Sequence, residues 1–302
     1  MKYRQLGASK ISLSEIGFGC ASYWGKKVFP EKKAIELVHI AVEKGVTLFD
    51  TGHSYSNGNA ELRLGKALSG VSLQIDLCIS TKAGTRIASN GSLYNDFSPA
   101  WIARSCQQSL LNLNIKQIGV FHLHGPNIED LNDDLYELLL KLKQKGLVKA
   151  LAINAFDEAI IRHATASKVF DCVMLDYNIL SQQREKLIND LYAQNIAIMA
   201  AAPLAGSLYS NRIFKLRGLK DLWYLARAVK NSSANIFKGR KYKFINKYQH
   251  YTGAQVALAF VLNNPKISCA VFGSTSSKHL LENLEASELD LSNEMLRKIR
   301  QV

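Results

Sequence analysis

Nowhere in this 302-residue chain is there an apolar run approaching the ~18 residues a bilayer-spanning helix requires. The opening residues, Met1-Lys2-Tyr3-Arg4-Gln5-Leu6-Gly7, lack the continuous apolar core of a secretion signal. Cysteine is scarce and odd in number: Cys20, Cys78, Cys106, Cys172 and Cys269 are scattered, mostly inside apolar runs. That usage excludes a disulfide framework and is expected of reduced core residues in a cytoplasmic protein. No two of them have metal-ligand spacing, so no metal site is expected. Internal repeats, low-complexity tracts and convincing domain boundaries are also missing, and a hydrophobic content of 47% excludes a disordered chain.

Acidic residues are nearly absent from one interval. Between Arg212 and Lys247 eleven Lys or Arg residues face a single acid, Asp221, so most of the net charge of +13 lies there. Aromatic residues Phe237, Tyr242, Phe244 and Tyr248 interleave with the charges. Three uses fit such a segment: stacking and phosphate contacts to single-stranded nucleic acid, the least favoured; cover for an anionic ligand, the preferred reading; or a solvated face.

The rest of the chain alternates apolar runs with amphipathic stretches, the signature of a parallel sheet. After two short strands around Tyr3 to Leu6 and Ser12 to Leu13, eight runs end near Gly19, Asp50, Lys82, His122, Asn154, Leu175, Ala200 and Phe272. Helices are expected over Glu31 to Lys44, over Pro99 to Leu113 behind an N-cap at Ser98, and over Asn132 to Lys145 before Gly146. Eight strands with intervening helices in this length favour one closed (β/α)8 barrel spanning 1–302 over an open sheet. Gly17-Phe18-Gly19-Cys20-Ala21-Ser22 resembles the dinucleotide-binding G-x-G-x-x-G, but Ser22 replaces the third glycine and no helix follows promptly. Residues 206–253 are too long for an ordinary connection and read as a rim insertion carrying two helices, near Leu219 to Lys230 and Ala234 to His250.

Four polar residues sit at or just past strand ends: Asp50, Tyr55, Lys82 and His124. Strand C-termini of such a barrel share one rim, so these distant residues converge there. Each alone has an ordinary structural use, as a packing tyrosine, a satisfied core histidine or a lysine paired with a surface acid. His122, two residues before His124, faces the same side of its strand; it and His53 are left outside the catalytic set.

Around this quartet the chain carries Phe49-Asp50-Thr51-Gly52-His53-Ser54-Tyr55, Ala60-Glu61, Leu64-Gly65-Lys66-Ala67-Leu68, Ser80-Thr81-Lys82 and His122-Leu123-His124-Gly125-Pro126. It continues with Gly146-Leu147-Val148-Lys149, Ala152-Ile153-Asn154-Ala155-Phe156, Ala202-Pro203-Leu204-Ala205-Gly206, and Gly273-Ser274 through Glu282-Asn283-Leu284. In order and spacing this series resembles the aldo-keto reductase superfamily over almost the whole chain, closer to its bacterial and plant sugar-dehydrogenase-like branches than to aldose or steroid reductases. The resemblance implies a metal-free oxidoreductase that passes a hydride between a nicotinamide cofactor and a carbonyl or alcohol. Tyr55 is then the proton donor, Lys82 favours its phenolate, Asp50 pairs with Lys82, and His124 bonds the substrate oxygen.

Carried over position by position, the resemblance implies a cofactor contact at Gly19, Asp50, Asn154, Leu204, Gly206, Ser207, Gly273, Ser274, Thr275, His279, Glu282 and Asn283. Asn154 stands at a common serine, Ala155 at an asparagine, Met174 at a glutamine, and Ala201 where many members stack a tyrosine. The lysine and arginine that bracket the 2′-phosphate in NADPH-preferring members are here Gly273 and His279. NADP(H) remains the expected cofactor, with NAD(H) or dual use as the alternative. The substrate is expected to be a small carbonyl or alcohol, sugar-derived in class and anionic if the basic insertion faces it, held between Tyr23, Trp24, Tyr55 and His124. Trp24 reads equally as pocket wall or loop anchor. A cofactor-binding regulatory or partner protein with weak turnover is the second function class.

Overall fold

The computed structural model describes residues 1–71, 76–209 and 237–302. Eight parallel strands close into a barrel: β3 (Ile16–Gly19), β4 (Leu48–Asp50), β5 (Cys78–Ala83), β8 (Ile118–His124), β9 (Val148–Asn154), β10 (Cys172–Asp176), β11 (Ala197–Ala201) and β12 (Cys269–Phe272). The ring closes where β12 pairs with β3, aligning Phe272 with Phe18. The eight strand ends agree with those read from the sequence, except that β8 runs on to His124 instead of stopping at His122.

Side chains on a strand alternate, so every second residue enters the barrel. Leu48, Cys78, Val120, Ala150, Ala152, Cys172, Met174, Ala197, Met199, Cys269 and Val271 pack together as its dry lower interior. One repeat higher on the same inward faces come Asp50, Ser80 and Lys82, His122 and His124, and Asn154. The polar site is therefore the top layer of an otherwise apolar stack.

An N-terminal hairpin of β1 (Tyr3–Gln5) and β2 (Ser12–Ser14) seals the opposite end with Leu6, Ile11 and Leu13. Arg4 fastens it by donating to the carbonyls of Leu262, Asn264 and Ile267 at 2.6, 3.1 and 2.8 Å, while pairing with buried Glu15 at 2.6 Å.

Helices alternate with the strands: α1 (Glu31–Glu43), α2 (Asn59–Leu68), α3 (Pro99–Leu113), α4 (Asp133–Gln144), α5 (Glu158–Ala166), α6 (Glu185–Ala193), α7 (Gly253–Leu262), α8 (Ser277–Leu284) and α9 (Asn293–Arg300). Their starts are written in the sequence as side-chain caps that satisfy otherwise orphaned N–H groups. Ser98 caps α3, Asn132 caps α4, Asp157 caps α5, and Thr252 with Gln255 forms a reciprocal capping box on α7.

The sequence-based helix over Leu219 to Lys230 lies outside the described residues. That over Ala234 to His250 is corrected: residues 237–241 are helical, but a 3-10 turn takes over at Lys243–Lys247. Tyr242 and Ile245 are buried there, three residues apart and so on one side of the turn. Among the described residues no helix is long and apolar enough to cross a membrane.

Candidate active site

β4 ends on Asp50, whose carboxylate meets the ammonium of Lys82 from β5 with Nζ 2.5 Å from Oδ2. Both groups are buried, so neither charge is stable without the other. Lys82 also donates to the carbonyl of Thr51 at 2.8 Å. Burial opposes the ammonium, but Asp50 and Tyr55 outweigh it and hold the Lys82 pKa above its ordinary value. The remaining carboxylate oxygen, Oδ1 of Asp50, accepts from Ser80 Oγ at 2.7 Å.

The Lys82 ammonium stands 5.2 Å from the ring centroid of Tyr55, inside cation–π range. Tyr55 sits on the turn after β4, half-buried, with its ring edge-on to His124 at 5.7 Å. Burial raises its pKa and Lys82 lowers it, and burial prevails. The lysine charge expected to favour the phenolate is thus overbalanced in the resting site, and the phenol keeps its proton at neutral pH.

Three successive residues after Tyr55, Ser56, Asn57 and Gly58, have φ of 53°, 57° and 81°, a left-handed run that carries the turn into α2. Two side-chain bonds hold it to the loop after β3: Ser56 Oγ donates to the Ser22 carbonyl at 3.1 Å and Asn59 Nδ2 to that of Gly25 at 2.6 Å.

His124 ends β8 beside Asn154 of β9. Burial and the Lys82 charge push its pKa down to about 4, so the imidazole is neutral at physiological pH. Its Nδ1 lies 3.5 Å from Thr85 Oγ1 at the start of a hairpin formed by β6 (Thr85–Ile87) and β7 (Leu93–Asn95). That hairpin stands on the rim beside the site, and Asn95 reaches from it to the Gly125 carbonyl at 3.4 Å.

Trp24 is corrected as a substrate contact. It is 1% exposed, its indole N–H donates to the Ala34 carbonyl at 3.2 Å, and Arg63 lies over its ring. Arg63 also donates to the Trp24 carbonyl at 2.5 Å, so this side chain anchors the loop and offers no face to a ligand. Tyr23 beside it is half-buried against Phe29 at 5.7 Å and remains at the rim.

Across the barrel seam the positions assigned to a cofactor lie at strand ends, on the turns that follow them and on α8. Gly19 ends β3 and Gly273 follows β12; a Cβ on Gly273 would stand 3.0 Å from the Gly19 carbonyl, so the two backbones meet closely there. Ser274 Oγ accepts from the Ser276 N–H at 3.1 Å and bends the chain into α8, whose first turn carries exposed Lys278 and His279. Backbone N–H groups at a helix start suit phosphate oxygens. Glu282 is half-buried and Asn283 buried further along α8. On the other flank, Leu204, Gly206 and Ser207 lie on a 3-10 turn after β11, with φ of 60° and 57° at the last two. Asn154 donates through its side-chain amide to the Met174 carbonyl at 3.2 Å. The small residues at Gly19 and Gly273 and the N–H groups at the start of α8 fit a dinucleotide.

Sequence reasoning gave no role to Ser80 or Gly52. Ser80 precedes Lys82 by two on a strand, which places both inside the barrel, and that spacing was a usable signal. The contacts of Thr85 and Gly52 depend on loop geometry that has no sequence period.

A profile of the aldo/keto reductase family matches residues 15–302. An uncharacterized oxidoreductase, YqkF, of Bacillus subtilis (strain 168) is 26% identical over 291 residues, 95% of this chain and 91% of that protein. Probable aldo-keto reductase 1 of Glycine max is 27% identical, over 98% of this chain and 87% of its own. In three dimensions the holo form of aldo-keto reductase AKR11C1 from Bacillus halodurans superposes with a TM-score of 0.84 at 25% identity, covering 100% of this chain and 96% of that one.

Proposed function

The chain belongs to the aldo/keto reductase family, an NAD(P)H-dependent oxidoreductase of small-molecule carbonyls, and on that premise we propose that Tyr55 delivers the proton of the reaction. One observation carries the reading: a buried ammonium, Lys82, stands between the Asp50 carboxylate at 2.5 Å and the Tyr55 ring at 5.2 Å. The reduced nicotinamide, when bound, supplies the hydride to the carbonyl carbon. Tyr55, protonated in the resting site, gives its phenolic proton to the carbonyl oxygen as charge develops there. Lys82 stabilises the phenolate left behind, and Asp50 with the Thr51 carbonyl keeps the ammonium charged and aimed. Neutral His124 offers an N–H to the same oxygen and so fixes which atom faces Tyr55.

In this reading Gly19, Asn154, Leu204, Gly206, Ser207, Gly273, Ser274, Thr275, His279, Glu282 and Asn283 make up the cofactor-binding surface. NADP(H) is favoured over NAD(H) because Lys278 and His279 are exposed on the first turn of α8, where a 2′-phosphate would be met by charge. The sugar-derived substrate class rests on the branch resemblance alone. We take 1–302 as one barrel domain with 206–253 as its rim insertion, in the cytoplasm. A second reading, a cofactor-binding partner protein of low turnover, is favoured by Met174 and Ala155, whose apolar side chains give the nicotinamide amide no partner.

The test is reduction of a carbonyl panel by NADPH and by NADH, followed at the nicotinamide absorbance. Tyr55→Phe should lose at least about a hundredfold in turnover while binding cofactor normally. Full activity in that variant refutes the proton-donor role, and cofactor binding without turnover of any carbonyl by the unaltered protein favours the partner reading.

A further inference from the structure

His122 lies one repeat below His124 on β8, fully buried, and no role falls to it in the reaction above. Its Nε2 is 2.9 Å from Ser80 Oγ, which is itself 2.7 Å from Asp50 Oδ1. A hydroxyl has one proton, and the carboxylate can only accept, so Ser80 gives that proton to Asp50. Ser80 must then accept from His122, which fixes the ring as the Nε2–H tautomer. Among the described residues the other ring nitrogen, Nδ1, is buried without a hydrogen-bond partner. A proton there would be an unsatisfied donor in the interior, so the ring is held neutral. The titratable groups facing it are Lys82, His124 and, through Ser80, Asp50; burial and the first two push its pKa well down.

We propose that His122 is a positioning residue that acts through Ser80 on Asp50. The inference rests on the reading of Tyr55, Lys82 and Asp50 as the proton-delivery group. The His122 N–H holds the Ser80 hydroxyl in the rotamer that donates to Oδ1, so that only Oδ2 is left for Lys82. Each carboxylate oxygen then has one assigned partner, and the carboxylate plane is fixed from beneath. Without that donor the Ser80 rotor is free, and Asp50 turns both oxygens on the ammonium. The ammonium is drawn away from Tyr55, the phenolate loses stabilisation, and its pKa rises.

The experiment compares the full chain, saturated with reduced cofactor, as wild type, His122→Leu, Ser80→Ala, the double variant and His122→Gln. His122→Leu should lower kcat for carbonyl reduction about three- to tenfold and move the alkaline limb of its pH profile up by about half a unit, with KM and cofactor affinity within about twofold of wild type. The amide of His122→Gln can still donate to Ser80 and should restore most of both. Adding His122→Leu to Ser80→Ala should change nothing further, because the path to Asp50 is already cut. An unmoved profile in His122→Leu, or additive losses in the double variant, overturns the proposal. Nitrogen NMR of the unaltered protein decides it independently of folding in the variants: His122 should remain the neutral Nε2–H tautomer from about pH 5 to 9, and an Nδ1–H tautomer or a titration in that range overturns it. Activity surviving in Tyr55→Phe would instead refute the proton-donor reading and leave the tautomer result standing.

Discussion

A methyl group built on Gly52 would stand 3.1 Å from Cδ1, Cε1 and Cε2 of Tyr55, so the phenol ring rests directly on the glycine backbone. Gly52→Ala should therefore push the ring aside by a few tenths of an ångström. A misplaced proton donor costs rate more than binding. We expect kcat to fall about tenfold to a hundredfold with cofactor affinity unchanged, measured by steady-state kinetics and fluorescence titration.

Removing the Asp50 charge leaves Lys82 as an unpaired buried cation. Asp50→Asn should cost about 3–5 kcal/mol in urea unfolding at pH 7. In the native protein the Lys82 pKa is raised, so the pair's stabilisation is complete below the unfolded lysine pKa and fades as pH rises through the folded one. The deficit of the variant should accordingly shrink in alkaline solution, and a deficit that does not change with pH would contradict the pairing.

His124 is held neutral down to about pH 4, whereas an unfolded histidine takes up its proton near ~6.5. Between those values the unfolded chain binds more protons, so stability rises with pH across the window and is lost on acidification. The contribution is up to about 3 kcal/mol, less whatever solvent screens at this partly exposed ring. Unfolding at several values between pH 4 and 7 should show a shallower slope in His124→Gln than in the native chain.

All five cysteines are buried, and burial pushes the Cys78 and Cys106 thiols up to about 12. Alkylation needs the thiolate and access to it, and both are withheld. Native protein at pH 8 should stay unlabelled by iodoacetamide over an hour by mass spectrometry, and should take up five labels once unfolded in urea.

Much of this molecule is legible in its residues because local chemistry and tertiary need agree. The apolar runs, the caps at Ser98 and Asn132 and the hairpin around Tyr3 to Ser14 each follow from short-range rules, and the barrel follows from their alternation. Asp50, Lys82 and His124 were legible for the same reason, since a strand end has only one rim to point at. Trp24 was not, because an indole on a loop serves pocket and anchor equally until Arg63 and Ala34 are placed around it. The Ala234 to His250 segment misled because residues three apart, such as Tyr242 and Ile245, share a face in an α-helix and in a 3-10 turn alike. Ser80 and His122 lay in plain alternation, but a hydroxyl and a ring meeting across two strands require the pairing register.

The seam between β3 and β12 has a bearing on how the molecule is made. A ribosome releases β3 first and β12 last among the barrel strands, so the ring stays an open sheet until nearly all of the chain has emerged. During that interval β3 and β11 are bare edges, able to pair with a neighbouring copy. Asp50, Tyr55, Lys82 and His124 have all been synthesised by then, yet Gly19 and Gly273 have not been brought side by side. A ligand that bridges those two glycines would bind only finished barrels, and its supply during expression should raise the yield of soluble protein more than it raises the rate of synthesis.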